Sequence, residues 1–273
     1  MDLNTLNETP PWEWPESAAE TILAVLRDSG AEEGDRLLAA ELAGDPVVID
    51  DMLATVLLEI ACDARETEDL RKEAVRSLGP VLEASDIEGF DDPDEAPITE
   101  EVFHKLQQTL HDLYRDENVS GEMRREALVA SVRAPLDWHE DAILKAYSSG
   151  DDFWMVAAVF CMRFVRGFHD QILESLANKN EDIQYHAVCA AGDKELDGAW
   201  AHVSKLVTSE RTNKDLRLAA IESIAAIRPS EAIEILDPLT ASKDEDIAEA
   251  AQEALAMADG FLADMADEGE EEH

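Results

Sequence analysis

Basic residues are scarce in this chain: 22 lysines and arginines stand against 63 aspartates and glutamates, a formal charge of -41 over 273 residues. Neutralising a phosphate backbone takes surplus Lys and Arg, so the charge argues against nucleic acid as a partner, and an anionic membrane repels the chain for the same reason. Cysteine is sparser still, and Cys62, Cys161 and Cys189 share no short spacing. That excludes a paired-cysteine metal motif and a disulfide framework and points to a reducing compartment. No apolar run approaches the roughly 20 residues of a membrane span. The opening Met1-Asp2-Leu3-Asn4 has neither the basic nor the apolar part of a signal peptide, so the cytoplasm is the expected location. Alternating β-branched and aromatic runs with hairpin turns are missing too, which removes sheet folds.

What is present is 45% hydrophobic residues, enough for a substantial core. The acidity has two readings, a partner-facing surface or an adaptation to high salt. The even spread of acids along the chain favours the second, and it predicts an unfolding midpoint that rises with NaCl as self-repulsion is screened.

A repeat emerges from one helix start. Asp69-Leu70, Glu122-Met123, Asp152-Phe153, Asp182-Ile183, Asp215-Leu216 and Asp246-Ile247 each place an acid before an apolar residue, and four residues after the apolar position stand Ala74, Ala127, Ala157, Ala187, Ala220 and Ala251. Helices packed at about 8 to 10 Å admit a methyl group at their crossing but not a leucine. The acid lies in the first turn, where the helix dipole favours negative charge. These starts are 53, 30, 30, 33 and 31 residues apart, the length of two short helices and two turns in all but the first interval.

Before each of these B helices the apolar spacing predicts a partner A helix: 47–61, 100–114, 138–147, 169–177, 199–207 and 231–240. Residues 17–27 and 34–43 make a less regular first pair. Thr99, Asn180 and Ser230 are placed as N-caps, and Ser17 with Glu20 as a capping box. The unit acid-apolar-Arg-x-x-Ala, as in Asp69-Leu70-Arg71-Lys72-Glu73-Ala74 and Asp215-Leu216-Arg217-Leu218-Ala219-Ala220, resembles HEAT repeats, including the HEAT-like repeats of phycobilisome lyases. The resemblance spans residues 17 to about 258 and implies an all-α solenoid, a right-handed superhelix of about seven helix pairs, with B helices on its concave side. It says little of activity, because such arrays serve as adaptors, transport receptors, lyases and hydroxylases.

The expected organisation is therefore an N-terminal arm at 1–16, a solenoid at 17–260 and an acidic disordered tail at 261–273. The long first interval is assigned to an inserted acidic loop, 85–97, in which Asp91, Asp92, Asp94 and Glu95 cluster. It lacks the alternating carboxylates and closing Glu of a calcium loop, so it reads as solvated. The arm, Pro10-Pro11-Trp12-Glu13-Trp14-Pro15, sets two tryptophans between prolines. They either cap the open end of the first repeat or anchor a partner.

Catalytic motifs do not stand out. His111-Asp112, His139-Glu140 and His169-Asp170 recur at repeat spacing, similar to the His-Glu pairs that hold iron in HEAT-like deoxyhypusine hydroxylases. Only one is a true His-Glu pair, and it begins an A helix rather than lying on an inner one. A bilin lyase or a metal-dependent hydroxylase relative is the alternative to a non-catalytic scaffold that binds a protein or peptide. The expectation is no enzyme, no cofactor and no metal, with Cys161 and Cys189 buried in B helices.

Nine of the fourteen arginines fall on or just after B helices. Arg71, Arg124 and Arg217, at the second B position, are expected to bridge to acids of the neighbouring repeat. The candidate partner-binding residues are Arg125, Arg166, Trp154, Gln184, Tyr185, Trp12 and Trp14, with the arginines forming a basic stripe suited to an acidic peptide.

Overall fold

The computed structural model describes the backbone of residues 2–92 and 96–271 and side chains as far as Leu262. Among the described residues the chain is helical throughout, with no strand. Asp94 and Glu95 of the acidic loop lie outside them. The fold divides into two compact units, Met1–His139 and Glu140–His273.

In the first unit α1 (Leu3–Glu8) precedes α2 (Ala18–Arg27) and α3 (Glu33–Ala43), followed by α4 (Asp51–Cys62), α5 (Glu68–Ser77), α6 (Gly79–Glu88), α7 (Glu100–Arg115) and α8 (Gly121–Ser131). α9 (Trp138–Tyr147) begins in this unit and ends in the second. The second unit continues with α10 (Asp152–Cys161), α11 (His169–Ser175), α12 (Glu181–Asp193), α13 (Trp200–Thr208), α14 (Lys214–Ile227), α15 (Pro229–Leu236) and α16 (Glu245–Glu271). α2 packs on α3, α4 on α5 and α7 on α8, and likewise α11 on α12, α13 on α14 and α15 on α16. The B helices form a row in each unit: α3, α5 and α8 in the first; α10, α12, α14 and α16 in the second.

The alanine register holds those rows together. Ala74, Ala127, Ala157, Ala187, Ala220 and Ala251 are all buried, as are the apolar starts Leu70, Met123, Ile183, Leu216 and Ile247. Phe153, at the remaining start, is only partly covered. Near the C-terminal end of α12 the approach is closer still: a Cβ on Gly192 would lie 2.7 Å from Ser223 Cβ of α14, so no side chain fits there.

Several local features differ from expectation. The N-terminal arm contains α1, whose Asp2 side chain caps Thr5 N–H at 2.9 Å and whose Leu3 and Leu6 are buried. Two apolar residues in a six-residue helix are too few to show a period. α6 occupies the first part of the expected loop, with Pro80 in its first turn and Val81 and Leu82 buried, and ends at Gly89, whose φ of 72° suits a residue without Cβ.

Asn180 caps α12 by accepting from the Asp182 and Ile183 N–H groups. Ser17 precedes α2 but makes no cap bond. Ser230 lies inside α15 because Pro229, with no N–H to satisfy, takes the first position. Thr99 stands at the start of α7, yet its N–H and hydroxyl both donate to Asp51. α16 runs as helix to Glu271, past residue 260, where a disordered tail was expected to begin.

Candidate functional site

The second B position does structural work within its own repeat. Arg71 Nε donates to Ala61 O at 2.9 Å, Arg124 Nε to Tyr114 O at 2.8 Å, and Arg217 Nε to Val207 O at 2.9 Å. In each case the acceptor lies ten residues back, in the last turn of the A helix, where carbonyls have no helical partner. The expected bridge from these three arginines to a neighbouring repeat is therefore replaced by a clamp across the A–B turn. Gln184, one of the candidate binding residues, takes the same part in α12, its Nε2 2.7 Å from Leu176 O. Trp154, at the equivalent position of α10, is half-buried and stands edge-on to Phe153 with centroids 5.6 Å apart.

Contacts between repeats fall to helix starts and other ion pairs. Ser120 Oγ donates to Glu68 Oε1 at 2.5 Å, Asn180 Nδ2 to Asp152 Oδ2 at 3.0 Å, and Asn213 Nδ2 to Glu181 Oε2 at 3.4 Å. The cap of one B helix thus binds the first-turn acid of the B helix before it. Arg163 binds Asp193 at 2.5 Å, Arg228 binds Asp197 at 2.6 Å, and Arg133 binds Glu83.

The exposed side of the first unit's B row is ionic. Arg76 reaches Glu73 at 2.6 Å and Glu126 at 3.6 Å, and Arg125 reaches Glu126 at 3.0 Å. Burial pushes the Glu73 carboxyl above its ordinary value; Arg76 opposes this, while Glu41 and Glu126 add to it. Arg125 is thus half-buried and held by its neighbour, whereas Arg166 is exposed in the turn after α10. Most arginines of the expected stripe are bound to carbonyls or carboxylates.

The second unit presents rings instead. Phe160 lies 5.4 Å from Phe164 and 5.5 Å from His186, and His186 lies 5.3 Å from Tyr185, which is 37% exposed. Burial, helped by Arg163, lowers the His186 pKa to about 4. Cys189 is half-buried beside Tyr185 and Arg163, and burial raises its pKa despite the guanidinium. Cys161 is fully buried, as expected.

The histidines have separate fates. His139 is 1% exposed; its Nδ1 lies 2.9 Å from Leu136 N and 3.1 Å from Leu136 O, and its Nε2 lies 3.0 Å from Ser131 Oγ. Trp138 is stacked between His139, at 3.7 Å, and His111, at 4.4 Å. Burial brings the His139 pKa down to about 4, with His111 contributing. His169 is exposed at the start of α11. Among the described residues no cluster of three His, Cys, Asp or Glu side chains is placed to hold a metal, and no helix is long and apolar enough to cross a membrane.

The two tryptophans of the arm also part. Trp14 Nε1 donates to Leu6 O and Thr9 O, both at 2.9 Å, and so ties the arm to α1. Trp12 is 79% exposed. Sequence reasoning had no signal to separate them, since both sit between prolines.

No family model and no curated protein matches this chain. Among solved structures it is similar to the YibA protein of E. coli (15% identity, TM-score 0.44, covering 93% of this chain and 85% of that one). It is also similar to human deoxyhypusine hydroxylase in complex with glycerol (15% identity, TM-score 0.41, covering 94% and 88%) and to an engineered protein (17% identity, TM-score 0.42, covering 94% and 70%). The first two have HEAT-like helical repeat folds, and the likeness is one of fold alone.

Proposed function

We propose that this chain is a non-catalytic scaffold that holds another protein on the exposed face of its B helices. The observation that carries the reading is apolar surface left open on that face: Tyr185 of α12 is 37% exposed and Met257 of α16 is 46% exposed. Tyr185 edges one groove of this face and Met257 another, and aromatic side chains such as Tyr are enriched among binding hot spots. Groups that enzymatic readings would call on are otherwise engaged: both ring nitrogens of His139 are bonded, and burial raises the pKa of the Cys189 thiol.

Chemical crosslinking and affinity capture from the native cell, at native salt, test the proposal. Capture should fall in Tyr185→Ala and Met257→Ser proteins that retain their helical content. Identical capture by both variants and the parent would remove the B-face reading. Stoichiometric iron or zinc in tag-free protein would turn it toward a metal-dependent enzyme.

A further inference from the structure

A groove of about 410 Å³ lies between α12, α14 and α16 in the second unit. Its small lining residues are Gly192, Ser223, Ala226 and Ala254, and Gly192 and Ser223 mark the close approach of α12 and α14. On α16 the residues facing it are Glu253, Met257 and Phe261. Their spacing of four and eight residues sets one acid and two apolar groups along about 12 Å of one helix face. The remaining rim is Asp193, Glu195 and Glu222, opposed by Arg163. Arg163 is bound to Asp193 at 2.5 Å, so the rim as a whole stays negative.

We propose that this groove takes an amphipathic helix of another protein, with apolar side chains against Met257 and Phe261 and lysines or arginines against Glu222, Glu253 and Glu195. The proposal rests on the scaffold reading and names the partner's chemistry, which is basic rather than acidic. Charge selects the occupant: a second copy of this chain carries -41 and is repelled by the same rim. Two turns of helix span the apolar wall, and helix-in-groove docking reads anchors at the same three- and four-residue spacing.

The test titrates the full chain with a fluorescent 18-residue Leu/Lys amphipathic helix, and with the same design carrying Glu for Lys, in a salt range where circular dichroism shows it folded. The cationic helix should bind, weaken roughly tenfold as NaCl rises tenfold, and outbind the anionic one by a similar factor. Glu222→Lys with Glu253→Lys should cost at least tenfold. Asp170→Lys with Glu234→Lys, exposed on A helices and equal in charge change, should cost less than twofold. Met257→Ser should weaken binding with an unchanged salt slope.

Equal loss in the two charge pairs would mean diffuse attraction and would overturn the proposal, as would tight binding of the anionic helix or no binding of the cationic one. A partner captured from the native cell and lost in Tyr185→Ala, yet retained by the Glu222/Glu253 pair, would leave the scaffold reading standing and remove this groove from it.

Discussion

The residue just before the spine alanine is Glu73 or Glu126 in the first unit, and Val156, His186, Ala219 or Ala250 in the second. Two positions after that alanine, Arg76 spans two carboxylates in the first unit, while Glu222 and Glu253 edge a groove in the second. Both units bury the same alanines. The spine therefore sets the stacking of helices, and the positions flanking it set the chemistry of the face, so one frame carries an ion network in one half and an apolar groove in the other.

The largest expected effect is one the two units share, and it is acid. His139 of the first unit has a folded pKa of about 4, below the roughly 6.5 of an unfolded histidine. Between those values the unfolded chain takes up a proton that the folded chain refuses. Stability from this site is therefore complete above about pH 6.5 and declines by about 3 kcal/mol as pH falls toward 4. Urea unfolding of the parent and of His139→Gln at pH 7.5 and 4.5 isolates it, because other titrating groups are common to both. An identical gap at the two pH values would sink the assignment. His186 gives the second unit a loss of the same direction.

Next come Ala74→Leu and Ala187→Leu, one in each unit, each expected to cost about 1 to 3 kcal/mol by overpacking. A neutral result at either position would show that the spine is not shared. Smaller is the clamp: Arg124→Ala should cost about 1 to 2 kcal/mol by freeing a part-buried carbonyl from a charged donor. Gln184→Ala, which removes a neutral donor, should cost about 1 kcal/mol or less, and the reverse order would break the equivalence of the two units. Smallest is Trp12→Ala, whose melting curve should match the parent within about 0.5 kcal/mol because the ring is exposed.

The repeat was legible because a crossing point tolerates one residue type and the chain returns to it six times. The A–B pairs followed from helical spacing, and Asn180 from its place before an acid and an apolar start. What escaped were contacts whose partner is a backbone atom. The acceptor of Arg124 is a carbonyl, which no residue type announces, so a charge-minded reading sent that arginine to a neighbouring carboxylate. α1 and α6 escaped for a different reason: α1 is too short to display a period, and α6, though ten residues long, groups its buried Val81 and Leu82 near a Gly-Pro start instead of spreading apolar residues at helical spacing. The face itself was legible only as composition: Tyr185 was named, but Met257, Glu222 and Glu253 were not, because their convergence depends on how α14 and α16 pack.

In three B helices the capping side chain bonds to the first-turn acid of the B helix before it, Ser120 to Glu68, Asn180 to Asp152 and Asn213 to Glu181, which ties the start of one repeat to the start of the next. The coupling is reciprocal, and a repeat that melts withdraws a restraint from its neighbours as well as a packing surface. In a linear array whose units meet only their neighbours, such links carry fraying across repeat boundaries, so removing the Asp152 carboxylate should loosen the amides at the beginning of α12 as well as those of α10 itself.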